Sequence, residues 1–115
     1  MVAPVRLPFF YNTSWSMEHV SALTNGLPAR RICGASTFSN PYGEGDCSRA
    51  LATDRRDLYR GMIMNPDSRR GRWIAENVLT LRGHNLFCIC SKGLPCAGDV
   101  LIELANPPAC EEVTP

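Results

Sequence analysis

Lysine is nearly missing from this chain. Of its twelve basic residues eleven are arginine, and Lys92 is the single lysine. A GC-rich coding sequence explains that bias plainly. Selection for bidentate recognition of phosphate or carboxylate explains it functionally, because Arg offers a planar fork and Lys does not. An excess of one charge is missing too. The formal net charge of +1 argues against a strongly basic nucleic-acid binder, though it leaves room for a local patch. No apolar run approaches the roughly 18 residues that a membrane-spanning helix needs. The opening segment, interrupted by Pro4, Arg6 and Pro8, lacks the apolar stretch of a secretory leader. No internal repeat and no low-complexity tract is visible. At 44% hydrophobic and 20% charged residues, disorder and collagen-like sequence are excluded. At 115 residues one domain is expected. A chain of this size buries roughly 65% of its unfolded surface, enough for one core.

Cysteine, by contrast, is plentiful: Cys33, Cys47, Cys88, Cys90, Cys96 and Cys110. An even count in a short chain can signal a disulfide framework. Without a leader, and with a core that needs no staples, reduced thiols in a cytoplasmic setting are the expectation. Ordinary buried cysteines, a metal site and disulfides all remain open from the count alone.

The pattern along the chain divides it into an N-terminal arm with a short helix (residues 1–28), a small α/β domain (29–107) and a C-terminal tail (108–115). The arm reads as irregular, with Phe9, Phe10 and Tyr11 packing onto the body. Ser16 is placed to cap a helix through Leu23, with Val20 and Leu23 inward and Asn25 and Gly26 ending it. Residues 30–34 read as a short strand. Ser39, Asn40, Pro41, Tyr42 and Gly43 carry turn chemistry. Residues 47–64 read as a helix capped by Asp46, with an apolar stripe of Leu51, Leu58, Met62 and Ile63, stopped by Asn65 and Pro66. A second helix is expected over 68–82, with Trp73, Ile74, Asn77, Val78 and Leu81 on one face and Gly83 beyond its end.

Residues 85–90 are the most informative. Leu86, Cys88 and Cys90 alternate with Phe87 and Ile89, so both faces are apolar. Such a strand belongs inside a mostly parallel sheet covered by helices. The fold expected is therefore α/β, a small and mostly parallel sheet flanked by helices. A short loop follows, and Asp99 is placed to cap a helix through Ala105. Strand, loop and helix N-terminus together form a common ligand crevice, where free backbone N–H groups favour an anion. Cys90, Cys96, Gly98 and Asp99 fall there, with Arg31 and Asn40 within reach from the preceding strand and turn. Gly98 would let a ligand approach the backbone. Asp99 is either a plain cap, an acceptor for a sugar or base, or a general base.

Cys88, Cys90 and Cys96 also form a partial metal site. Zinc usually takes four ligands, and spacing leaves the fourth open among His84, Cys33, Cys47 and Cys110. Alternatively, one of these thiols is a nucleophile at a helix N-terminus. His84 and His19 otherwise read as solvated residues. Arg55, Arg56 and Arg60 form a cluster in which Arg55 and Arg56 have Asp54 and Asp57 beside them, and it reads as a solvated helix face. Arg69, Arg70 and Arg72 sit near a helix start, where positive charge is mildly unfavourable. They are therefore candidates for contacting phosphate or an acidic partner.

Two landmarks carry a resemblance. Leu81, Gly83, Leu86, Cys88 and Cys90 are followed by Cys96, Gly98, Asp99, Leu101, Glu103, Leu104, Ala105 and Asn106. A looser landmark is Ser36, Phe38, Asn40, Pro41 and Tyr42. Together, across residues 30–106, they resemble a family of short uncharacterised phage and bacterial proteins of unknown function. Its signature has a Cys-x-Cys pair, then Cys-His-Gly-Asp-x-Leu-x-Glu-Leu-Ala-Asn. This chain departs from it at Ala97, where the family has His, and at Ile89, where it has Trp. The resemblance implies a small α/β domain of nucleotide or nucleic-acid character and no defined activity. A host-cell cytoplasmic or virion location follows if the chain is phage-encoded.

Three functions are compatible with these features. The first is binding of a nucleotide or other phosphorylated ligand at the crevice of Arg31, Asn40, Cys90, Cys96, Gly98 and Asp99. The second is a non-enzymatic role in a larger assembly, through the aromatic arm. The third is a structural zinc module.

Overall fold

A computed structural model describes residues 2–8, 16–45, 47–90 and 93–106. The elements run β1 (Arg6–Pro8), α1 (Met17–Asn25), β2 (Ala29–Arg31), α2 (Arg49–Met64), α3 (Arg69–Asn77), a 3₁₀ turn (Val78–Leu81), β3 (Asn85–Cys88) and α4 (Ala97–Ala105). The sheet has three strands in the order β1-β3-β2, and both outer strands run parallel to β3. Every residue of β3 is buried. A central parallel strand must be apolar on both faces, which is what the alternation in 85–90 predicted.

β3 is shorter than predicted. It stops at Cys88, and Ile89 and Cys90 form a bend. Its neighbour supplies one reason: Cys88 is in register with Pro8, which has no N–H to extend the ladder. The same register corrects the reading of the arm. Arg6–Pro8 is an edge strand, a position where proline is tolerated, rather than irregular chain. Phe9, Phe10 and Tyr11 lie outside the described residues, as does the tail with Cys110. β2 is likewise shorter, ending at Arg31 where residue 34 was expected.

The helices begin on serines. Ser16, Ser48 and Ser68 each accept a backbone N–H three residues on. The cap of α2 is thus Ser48; Asp46 lies outside the described residues. On α1 the inward residue is Ser21, while Leu23 is exposed and Val20 only half-buried. Polar residues face in because Asn85 on β3 offers them hydrogen bonds: its Nδ2 donates to Ser21 Oγ (2.8 Å) and to Asn25 Oδ1 (2.7 Å). On α2 the inward stripe is Ala52, Tyr59, Met62 and Ile63. Leu51 and Leu58, expected inside, are exposed. Each precedes an inward residue by one position, about 100° around the helix.

The single helix expected over 68–82 divides at Asn77. The Asn77 side chain donates to the Trp73 carbonyl (2.8 Å) and Thr80 to the Asn77 carbonyl (2.7 Å). The last turn tightens to 3₁₀, in which residues three apart eclipse, so Val78 and Leu81 both point inward. Gly71 lets α3 cross α2 closely: a Cβ there would lie 1.9 Å from the Met62 carbonyl oxygen. Leu86 and Cys88 join Tyr59, Ile74, Leu81, Val100 and Leu101 in one core. Asn85 and Phe87 alternate to the other face, where α1 sits. Helices therefore cover both sides of the sheet. No helix among the described residues is long and apolar enough to cross a membrane.

Candidate metal centre

The end of β3 meets the start of α4, as the crevice reading required. Three thiols gather there. The Sγ atoms of Cys88, Cys90 and Cys96 lie within 4.8 Å of one another, and Cys88 and Cys96 are 3.2 Å apart. A disulfide is about 2.05 Å long, so none exists here. The five described cysteines are all free.

Local structure explains each placement. Cys88 is the last residue of β3 and faces the helices; the bend brings Cys90 back beside it. Cys96 is the N-cap of α4, a place usually held by Ser, Thr, Asp or Asn. Its sulfur accepts the Gly98 N–H at 3.4 Å, and Asp99 Oδ2 accepts the Cys96 N–H at 3.0 Å. That is a capping box with sulfur in the hydroxyl's role. Asp99 is therefore the third helical residue rather than the cap, and α4 starts earlier than predicted. Asp99 also pairs with Arg6 (3.5 Å). Gly98 has a packing reason: a Cβ would lie 3.1 Å from Arg6 Cδ and 3.2 Å from Ile32 Cδ1. Arg6 and Ile32 already fill the space once expected for a ligand.

Beside the thiols is a small cavity lined by Ile32, Asn40, Gly43, Glu44, Cys47, Arg55, Cys88, Cys90, Cys96 and Ala97, among others. The cavity volume is about 10 Å³, room for about one water molecule. Of the expected site residues, Asn40, Cys90 and Cys96 line it; Arg31, Gly98 and Asp99 do not. Asn40 is held by two bonds, donating to the Arg55 carbonyl (3.1 Å) and accepting the Tyr42 N–H (2.9 Å). Ala97, where the resemblance puts histidine, also lines the cavity. Among the candidate fourth ligands, Cys47 lines it; Cys33 is buried in the core, and His84 Nδ1 contacts the Arg82 carbonyl. Arg70, a candidate phosphate contact, donates instead to the Ser39 carbonyl and hydroxyl (2.9 and 2.8 Å), anchoring the turn.

Two arginines beside the thiols are absent from the sequence-based site. Arg6 comes from the arm. Its side chain is 10% exposed. Burial works against its charge, but Cys96 and then Asp99 outweigh that and raise its pKa. Arg55 was read as solvated because Asp54 and Asp57 flank it. Its guanidinium instead lies against Gly43, and its buried Nε and Nη1 have no hydrogen-bond partner. The only sequence signal was Gly43 itself, whose φ of +128° and missing Cβ leave that space.

The thiols do not titrate alike. Cys90 is held far below the ordinary thiol range. The S–H groups of Cys88 and then Cys96 stabilise its thiolate, with smaller help from the Gly45 N–H and the Arg6 charge. Cys88 is pushed up by donating to Cys90 and by burial. At Cys96 the Cys88 S–H acts downward, but donation to Cys90 and burial carry the net shift up. In the metal-free cluster the thiolate is therefore favoured at Cys90 over Cys88 and Cys96. Glu44 is raised by burial, only partly offset by the Gly34 and Asn40 N–H groups.

A parallel α/β domain with a reduced thiol cluster where its central strand meets a helix start is the class of protein defined here. The chain belongs to the family described as Domain of unknown function (DUF4326), whose model matches residues 16–107. No curated protein and no solved structure matches it.

Proposed function

We propose that this domain binds a soft divalent cation, zinc first among them, through Cys88, Cys90 and Cys96. The convergence of three sulfurs within 4.8 Å carries the reading. Tetrahedral zinc–thiolate bonds of about 2.3 Å set sulfurs roughly 3.8 Å apart. That spacing is compatible with three sulfurs all within 4.8 Å of one another, Cys88 and Cys96 at 3.2 Å. Charge bears on it too: three thiolates and a dication sum to −1, beside the buried Arg6 cation that Asp99 shares. Thiolates prefer zinc over hard cations such as magnesium. Bound there, the ion would cross-link β3, its bend and α4, and would act as a Lewis acid toward any further donor.

The test is metal analysis of the purified protein with a competitive zinc titration. One equivalent is expected in the wild type and none in the Cys88→Ser/Cys90→Ser/Cys96→Ser variant. Substoichiometric zinc in fully reduced wild-type protein would overturn the reading.

A nucleotide or other phosphorylated ligand is the second reading, favoured by the unpartnered Nε and Nη1 of Arg55. The cavity admits about one ligand oxygen, so the rest of such a molecule must sit outside its mouth. This reading predicts heat on mixing metal-free protein with nucleotides. A flat calorimetric trace across a nucleotide panel would dismiss it. An assembly role through the arm rests on residues outside those described.

A further inference from the structure

We propose that the metal site is open rather than closed, and that Arg55 seats an anionic oxygen, from a phosphoryl or carboxylate group, as the fourth ligand. The inference rests on the metal reading above and adds to it a ligand class and a residue that recognises it.

Three observations carry it. First, among the described residues three sulfurs converge; Cys47 lines the cavity but is not part of the group within 4.8 Å. Three protein ligands plus one exchangeable position is the pattern of zinc sites that do chemistry, whereas structural sites are closed by four. Second, the remaining space beside the sulfurs amounts to about 10 Å³, the size of one oxygen ligand. Third, Arg55 lines that space, and two of its buried N–H groups have no hydrogen-bond partner among the described residues. Buried donors without partners call for an explanation, and an oxygen that belongs there supplies one. The guanidinium also packs against Gly43. It lies where a Cβ on Gly43 would be, 2.6 Å from Nε, and its helix backbone is tied to Asn40. A planar fork suits a carboxylate or phosphoryl oxygen.

The experiment uses the full chain loaded with Co²⁺, whose visible absorption reports its coordination sphere. Inorganic phosphate and acetate are titrated separately, with chloride as control. The expected result is a 1:1 cobalt complex whose spectrum shifts saturably with phosphate or acetate; the stronger of the two names the source. Arg55→Met should still take one cobalt but lose the anion response by about tenfold or more in affinity. Arg55→Lys keeps the charge without the fork and should fall between, which covers the case in which the methionine variant does not fold. No anion-dependent shift in a stoichiometric cobalt complex would overturn the open site and leave the metal reading standing. Loss of metal in Cys47→Ser equal to that in Cys90→Ser would mean a closed four-thiolate site and would overturn it too. Anion binding that needs Arg55 but no metal would overturn it in favour of the second reading above. Failure to load cobalt at all would remove both the metal reading and this inference.

Discussion

The two ends of β3 are built on opposite principles. At its start Asn85 is fully buried and fully satisfied. Its Oδ1 accepts from the Val5 N–H (3.0 Å) and Asn25 Nδ2 (3.1 Å), and its Nδ2 donates to Ser21 and Asn25. The Ser21 hydroxyl in turn donates a hydrogen bond to the Leu27 carbonyl. At its finish the ladder stops, three sulfurs crowd together, and an arginine nearby has N–H groups with no acceptor. A buried polar network that closes on itself specifies a fold; one left unfinished marks where something else belongs. The strand is four residues long, so the two regimes are separated by little more than its length.

Breaking the finish should cost the most. Structural zinc binds with about 10–16 kcal/mol, roughly 3 kcal/mol or more per donor. Cys90→Ser should therefore weaken zinc at least a hundredfold in a chelator competition while leaving far-UV circular dichroism intact. Breaking the start comes next. Asn85→Ala strands Val5, Ser21 and Asn25, and should lower unfolding stability by about 3 kcal/mol, read by urea titration. If it were neutral, the network would be decorative and the comparison would fail.

Acidity sharpens the contrast further. An ordinary thiol loses roughly a hundredfold in alkylation rate between pH 8 and pH 6, since only the thiolate reacts. In metal-free protein Cys90 should lose less than about threefold, followed by mass spectrometry of the modified peptide. Stability follows the same sign. With its folded pKa depressed, Cys90 adds stability as pH rises toward the ordinary thiol range, fully present above it and lost in acid. Cys88 and Cys96, both raised, contribute below that range and lose their contribution as pH climbs through it. The contribution of these three thiols to metal-free stability should thus peak near the ordinary thiol pKa, read as the wild type minus the triple serine variant in urea titrations across pH. The smallest effect expected is that of Asp99→Asn. It weakens the capping box of α4 and its pairing with Arg6, and should cost about 1 kcal/mol in thermal unfolding.

Much of this was legible in the residues. A strand apolar on both faces announces a central parallel position, and Cys-x-Cys followed by a capped helix brings sulfurs to the strand's end. Side-chain direction was less legible. Leu51 and Leu58 satisfy a helical apolar pattern as well as Ala52 and Tyr59 do, and only packing against α3 and α4 decides which set is inside. Arg55 between two acids looks solvated until Gly43 is seen against it. Arg6 acts on a cap 90 residues later in the chain, a separation at which local pattern carries no information. The α4 start was misplaced because cysteine is not a usual cap, so the aspartate three residues on took its role.

The segment before residue 16 lies outside the matched family region, yet Arg6–Pro8 closes one side of the sheet and supplies the cation beside the sulfurs. Boundaries drawn by family similarity and by folding therefore differ here. A fragment starting at residue 16 would uncover one flank of its innermost strand, an open template for pairing with another molecule. Such a fragment should self-associate, and its metal affinity would describe a damaged domain.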